Sequence, residues 1–238
     1  MILGSSIRIT RCHLVNWIER DPVAYIKMSK YIAQGKVEKA IEIRPELPPL
    51  YITLMAALGK IGLTAEHAGI LISLISGTLI ILAIFLIASM VFNDKIALLS
   101  AFIASLQTEL VHNSTFILRE SLAVCLMLFG LYYAIWAIKK HSWWKWCFSG
   151  FLTGLCSLTR PDGMEVFLAI PLWLVISFIF YPAERRQLLT KCLPGFIILV
   201  ILFCATILPV QEYFHYHGSI YTALLDRKML SIYLGLNI

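Results

Sequence analysis

The sequence predicts an all-α, polytopic integral membrane protein with about six transmembrane helices and two juxtamembrane interfacial helices. Three observations carry that reading. Hydrophobic residues fill 59% of the chain and charged residues only 14%, where soluble domains carry about a quarter. Apolar runs near or above roughly 18 residues, enough to span a bilayer, recur along the chain. Basic residues gather in alternate loops, at Lys95, at Lys139, Lys140 and Lys145, and at Arg185, Arg186 and Lys191, which assigns those loops to the cytoplasm.

Residues 1–66 read as a polar, non-cytoplasmic loop holding the two interfacial helices. The opening stretch is too polar for a signal-peptide core. The first fifty residues hold eight Lys and Arg against five acids, and a long loop translocates largely regardless of such charge. In "DPVAYIKMSKYIAQG" (21–35), Asp21 is placed as N-cap with Pro22 at the first helical position. Tyr25, Met28 and Ile32 then share one face, with Tyr25 and Tyr31 resting at the membrane interface and Gly35 closing the helix. In "PELPPLYITLMAALGKIGL" (45–63) the apolar part is too short to span, so it reads as the second interfacial helix, started by its prolines.

The membrane bundle is placed at 67–210, with spans at 67–92, 96–111, 116–138, 146–159, 164–181 and 192–209. "NDK" (93–95) and the Trp-rich, basic "KKHSWWKW" (139–146) make cytoplasmic turns. "GFLTG" (150–154) is a small-residue pattern for close helix packing. Residues 211–238 are placed as an external segment, in which "HYH" (215–217) reads as interfacial aromatics. The Asn113 sequon is set aside as a chance match. Six dispersed cysteines, with no Cys-x-x-Cys pair, form neither a disulfide nor a zinc framework. No metal-ligand set is apparent, although a divalent ion stays open. The net charge of +6 fits basic cytoplasmic loops, not nucleic acid.

The polar residues at the span ends each have two readings. Asp21 is a helix cap or a catalytic acid. Glu120, in "FILRESLAV", is an acid favoured by a helix dipole or a site residue, and Arg119 beside it snorkels or binds. Arg160, in "LTRPDG", belongs to a turn or grips a phosphate. Tyr25 belongs to the apolar face.

In their order, these elements resemble the GT-C superfamily of membrane glycosyltransferases, above all the protein O-mannosyltransferases and the aminoarabinose transferases that modify lipid A. The matching pieces are "DPVAYIKMSKYIAQG", "LPPLYITLMAALGKIG", "FNDKIALLSAF", "NSTFILRESLAVCLMLFGLYY" and "GFLTGLCSLTRPDG". The resemblance covers most of the chain and implies sugar transfer from a polyprenyl-phosphate-linked donor to a lipid, glycan or protein acceptor outside the cytoplasm. It implies Asp21 as general base, Glu120 as the second-loop acid that orients acceptor or sugar, Arg160 as the contact to the lipid phosphate, and Arg119 and Tyr25 as further substrate-binding residues. Tyr25 would line the loop. The implied setting is a bacterial inner (plasma) membrane, with membrane lipids as further partners and no cofactor.

Departures from the family pattern are specific. Pro22 stands where many relatives carry a second acid, Ala24 where they carry an arginine, and Pro48 where the aminoarabinose transferases carry a lysine. By the same resemblance, a span before Glu19 and more chain after residue 238 are expected, so the sequence reads as a piece of a longer protein. The rival reading is a non-catalytic transporter or lipid-flipping component, or an inactive glycosyltransferase fragment. Transporters often carry internal repeats and helices broken at mid-span. No internal repeat is visible here, and the acids sit at span ends.

Overall fold

The computed structural model describes residues 4–6, 8–10, 20–160, 164–180, 188–219 and 221. Every regular element among them is helical. In chain order these are α1 (Arg20–Ala33), α2 (Val37–Ile41), α3 (Pro49–Lys60), α4 (Ala65–Val91), α5 (Asp94–Leu106), α6 (Thr108–Thr115), α7 (Glu120–Lys140), α8 (Trp143–Ser157), α9 (Met164–Phe180), a π turn (Leu188–Cys192) and α10 (Leu193–Tyr216). Three stretches are long and apolar enough to cross a membrane: Ala65–Val91, Glu120–Lys140 and Thr190–Tyr216.

The two polar-end helices form as the sequence indicates, with one shift. Helical geometry already holds at Arg20, so Asp21 lies within the first turn of α1 rather than capping it. Proline lacks an N–H, and any first-turn position tolerates that loss; Pro22 therefore does not pin the helix start. Gly35 ends the helix in the left-handed region at φ 76°. Its N–H reaches the Ile32 carbonyl at 2.9 Å and the Lys36 N–H reaches the Tyr31 carbonyl at 2.9 Å, the paired bonds of a glycine C-cap. Pro49 opens α3 at N1 or N2, with Pro48 extended before it.

Tyr25 and Met28 are buried, and they pack with Tyr51, Met55, Ala68 and Ile117 in one core. Tyr25 is thus a core residue, not an interfacial anchor, while Tyr31 stays exposed. The correction has a simple cause: the apolar face of α1 meets α3 and α4 instead of lipid, because burying it against protein removes more apolar surface from water.

The expected span at 96–111 is not one helix. Helix α5 stops at Leu106, Gln107 is extended, and α6 resumes at Thr108. The polar triplet Gln107–Thr108–Glu109 interrupts the apolar run there, and Ser105 turns its hydroxyl back onto the Phe102 carbonyl, a bond that competes with helix continuation. Helices α8 and α9, of 15 and 17 residues, are shorter than the roughly 20 of a comfortable span. Conversely, α10 runs on to Tyr216, so residues 211–216, expected in the external segment, continue the last helix. Its histidines bond locally: His217 Nδ1 lies 2.9 Å from the Tyr213 carbonyl. The "RPDG" turn beyond Arg160, "ERRQ" at 184–187 and residues 222–238 lie outside the described residues.

Helix α8 packs between α7 and α10 because small residues remove bulk on both sides. A Cβ on Gly150 would sit 2.4 Å from the Leu199 carbonyl oxygen of α10, and one on Gly154 would sit 2.9 Å from Thr206 Cβ. On the α7 side, Ser149 Oγ donates to the Gly130 carbonyl at 2.9 Å. The "GFLTG" pattern is therefore a contact face, as small-residue patterns in membrane helices are. The chain shuttles so that α1, α3 and the starts of α4 and α7 share one end of the bundle with the end of α8. Lys139 reaches the Met90 carbonyl at the opposite end, which also carries Lys95, Lys140 and Lys145.

Gly150→Ala should lower the unfolding free energy in mixed micelles by about 1–3 kcal/mol, the cost of overpacking a tight contact. Gly59→Ala is the control. Its Cβ would meet only Ala33 Cβ at 4.0 Å, so its stability should be unchanged or higher by up to about 1 kcal/mol.

Candidate active site

At the end of the bundle that holds α1 and α3, two acid–guanidinium pairs lie close together. Asp21, in the first turn of α1, pairs with Arg44 Nη1 at 3.2 Å. Glu120, the first residue of α7, accepts from Arg160 Nη1 at 2.9 Å. The first pair is about half exposed; the second is roughly two-thirds buried. The partners are far apart in sequence, so only the fold joins them.

Tyr25 lies within electrostatic reach of Asp21, Arg44 and Glu120. Its phenol is pushed up to about 12, chiefly by burial; Arg119 lowers it, Glu120 and Asp21 raise it, and Arg44 lowers it. All four charged groups therefore act on this one hydroxyl. Below that value the phenol stays neutral and can donate a hydrogen bond. Its ring meets Tyr51 edge-on, with centroids 5.7 Å apart.

Two tethers hold the cluster. The Leu50 N–H, in the first turn of α3, donates to the Leu158 carbonyl at the end of α8 at 3.1 Å. A first-turn N–H and a last-turn C=O are groups their own helices leave unpaired, and here each satisfies the other. That bond places Arg160, two residues on, against α3 and α7. The second tether starts at Tyr51. Its Oη lies 3.1 Å from the Gly69 carbonyl and 3.1 Å from Ser73 Oγ, and Ser73 Oγ lies 3.1 Å from the Leu118 carbonyl. Two hydroxyl protons serve three contacts, so one contact is shared. The chain of bonds runs from α3 through α4 to the residue just before Arg119.

Three consecutive residues carry unmet polar capacity. Arg119 Nε, Glu120 Oε2 and Ser121 Oγ are buried without a hydrogen-bond partner. Buried polar atoms are nearly always bonded, so the start of α7 is suited to a polar ligand. Arg119 pairs with no carboxylate among the described residues. With Asp21 held by Arg44 and Glu120 by Arg160, it is the guanidinium left over.

All five residues singled out in the sequence, Asp21, Tyr25, Arg119, Glu120 and Arg160, thus meet here. Arg160 faces Glu120 directly, and Arg119 has no carboxylate partner among the described residues. The sequence reading missed Arg44 and Ser121. A cue for Arg44 was present: an arginine was absent at Ala24, and the Pro-rich stretch "IRPELPP" supplies one beside a residue that restricts its backbone to extended geometry. Ser121 had no cue. Among the described residues no three of His, Cys, Asp and Glu converge as metal ligands.

The Glu120–Arg160 pair should show measurable coupling. In a double-mutant cycle of Glu120→Gln and Arg160→Gln, unfolding free energies should give about 1–2 kcal/mol, between exposed and buried pairs. Coupling near zero would mean that the pair is held together by its surroundings alone.

The family model described as dolichyl-phosphate-mannose-protein mannosyltransferase matches residues 46–211, well over half of the chain. The match takes in Arg119, Glu120 and Arg160 and begins after Asp21, Tyr25 and Arg44. No curated protein and no solved structure matches the chain.

Proposed function

The chain belongs to the dolichyl-phosphate-mannose-protein mannosyltransferase family of GT-C membrane glycosyltransferases, and on that premise we propose that Asp21 is the general base in sugar transfer on the non-cytoplasmic face. The donor is a polyprenyl-phosphate-linked sugar, and the acceptor presents a hydroxyl or amine to the anomeric carbon. One observation carries the reading: two carboxylates, each on its own guanidinium, lie within electrostatic reach of a buried tyrosine, with a third guanidinium left over.

The chemistry assigns a task to each group. As the acceptor oxygen or nitrogen attacks, its proton passes to the Asp21 carboxylate, a positioned base. The bond from the anomeric carbon to the phosphate oxygen breaks, and the polyprenyl phosphate leaves with that electron pair. Arg119, without a carboxylate partner among the described residues, meets the phosphate with its planar fork and stabilises the charge that grows there. Glu120, held by Arg160, orients sugar hydroxyls through its open Oε2. Tyr25 donates from beside them. Beside the cluster, an apolar cavity of about 710 Å3 runs along Leu50, Phe151, Leu155, Leu158, Leu202 and Val210. Its lining suits an isoprenoid chain, and Leu158 brings it within two residues of Arg160.

Asp21→Asn separates base from scaffold. Asn keeps the shape, and the exposed pair with Arg44 is worth roughly 1 kcal/mol or less, so the thermal transition should hardly move. Turnover should fall roughly 10²-fold or more, the scale of a lost general base. Near-normal transfer by the folded variant would remove Asp21 from the mechanism.

The same reading fixes an orientation. On a background without native cysteines, a membrane-impermeant thiol reagent applied to intact cells should label a cysteine at position 21 and spare one at 139. The reverse pattern would put the site in the cytoplasm.

A further inference from the structure

Next to the acid–guanidinium cluster lies a second concavity. Helix α1 contributes Lys27, Lys30, Tyr31 and Gln34, and α2 with the residues after it contributes Lys39, Glu42 and Ile43, around a cavity of about 740 Å3. Three ammonium groups against one carboxylate leave this lining two positive charges in excess. Lys30 reaches Glu66 of α4 at 3.8 Å, whereas Lys27 and Lys39 pair with no carboxylate among the described residues. Like charges around one hollow raise its potential and draw in anions.

The concavity adjoins the segment that carries Arg44. Ile43 of its wall precedes Arg44, which holds Asp21. Along α1, Lys27 follows Asp21 by six residues, roughly 9 Å of helix rise.

We infer that the α1–α2 cleft is an oxyanion subsite of the acceptor, so that the acceptor is an anionic molecule whose phosphate-type group seats on Lys27, Lys30 and Lys39. Ammonium groups suit it because each is a compact charge with three rotatable donors, which accept a tetrahedral anion without a fixed approach. Tyr31 and Gln34 add neutral hydrogen-bonding groups on the same wall. The assignment rests on the glycosyltransferase reading for the word acceptor, and on the cleft alone for the anion.

The test uses the full chain in phosphatidylcholine nanodiscs. An amine-reactive reagent is applied and modification at each lysine is read by mass spectrometry, at constant ionic strength, with chloride or inorganic phosphate. Phosphate should slow modification of Lys27, Lys30 and Lys39 and leave Lys95, at the other end of the bundle, unaffected. With Lys27→Gln and Lys39→Gln together, the phosphate concentration that half-protects Lys30 should rise roughly a hundredfold, the scale of two charge-assisted contacts. Asp21→Asn should leave protection unchanged, so loss of the base assignment and loss of the cleft are told apart. Absent or non-selective protection overturns the subsite. Protection seen only when phosphatidylglycerol replaces phosphatidylcholine also overturns it and leaves a contact with the lipid surface. Phosphate should also inhibit sugar transfer by the wild-type chain at lower concentration than transfer by the double variant; binding without such inhibition removes the acceptor from the proposal.

Discussion

The hydrogen bond from the Leu50 N–H to the Leu158 carbonyl is the contact on which the arrangement of the polar end depends. Helix α3 begins where α8 ends, both at the boundary of an apolar bundle. An unpaired N–H or C=O there costs on the order of 1–3 kcal/mol. Joining the two ends removes both costs with one bond. It also sets the distance between α3, which packs on α1, and the Arg160 turn. Had α3 shifted by one turn, Leu50 would lose its acceptor, Tyr51 would lose Ser73, and the two acid–guanidinium pairs would move apart.

Around that contact the charges are balanced pair by pair, with one guanidinium in surplus. A half-exposed pair such as Asp21–Arg44 contributes little to stability; its consequence is positional, because it holds a carboxylate at the start of α1. The Glu120–Arg160 pair is more enclosed, and its remaining carboxylate oxygen is left open. The cation beside Asp21 is Arg44, from outside α1. Ala24 of that helix is buried, so the cation is delivered instead by the segment before α3. A guanidinium can arrive from either segment because its long side chain spans the difference.

The bundle beneath is held by close backbone approach as well as by buried side chains such as Trp146, Leu199 and Phe203. Gly150, Gly154 and Gly130 let α8 touch α10 and α7, and Ser149 hydrogen-bonds across. In an apolar environment, helix association comes from such packing and hydrogen bonds, not from the expulsion of water. A rigid α8 then carries Arg160 to a set place at its end, which links the small residues of the bundle to the geometry of the candidate site. The elements at the polar end pack differently. There Tyr25, Met28, Tyr51 and Met55 form an ordinary protein core, and this difference is why α1 is an integral wall of the site.

Composition and periodicity by themselves determined the helical membrane class, the proline start of α3, the glycine stop of α1 and the packing role of "GFLTG". These are local properties: apolar length, missing N–H groups, left-handed backbone and side-chain bulk act within a few residues. The five candidate site residues were also legible, but only as polar exceptions at span ends whose order resembled a family. What the sequence could not decide was pairing. That Glu120 faces Arg160, that Asp21 faces Arg44 rather than a residue on its own helix, and that Tyr25 is a core phenol near these charges all depend on contacts across 23 to 40 positions. The break at Gln107 falls at the polar triplet Gln107–Thr108–Glu109, but a short polar interruption does not by itself reveal whether a helix gives up its hydrogen bonds there. Tertiary structure decided these points, since ion pairing and burial depend on which surfaces meet, and that is set by packing of the whole bundle rather than by any one segment.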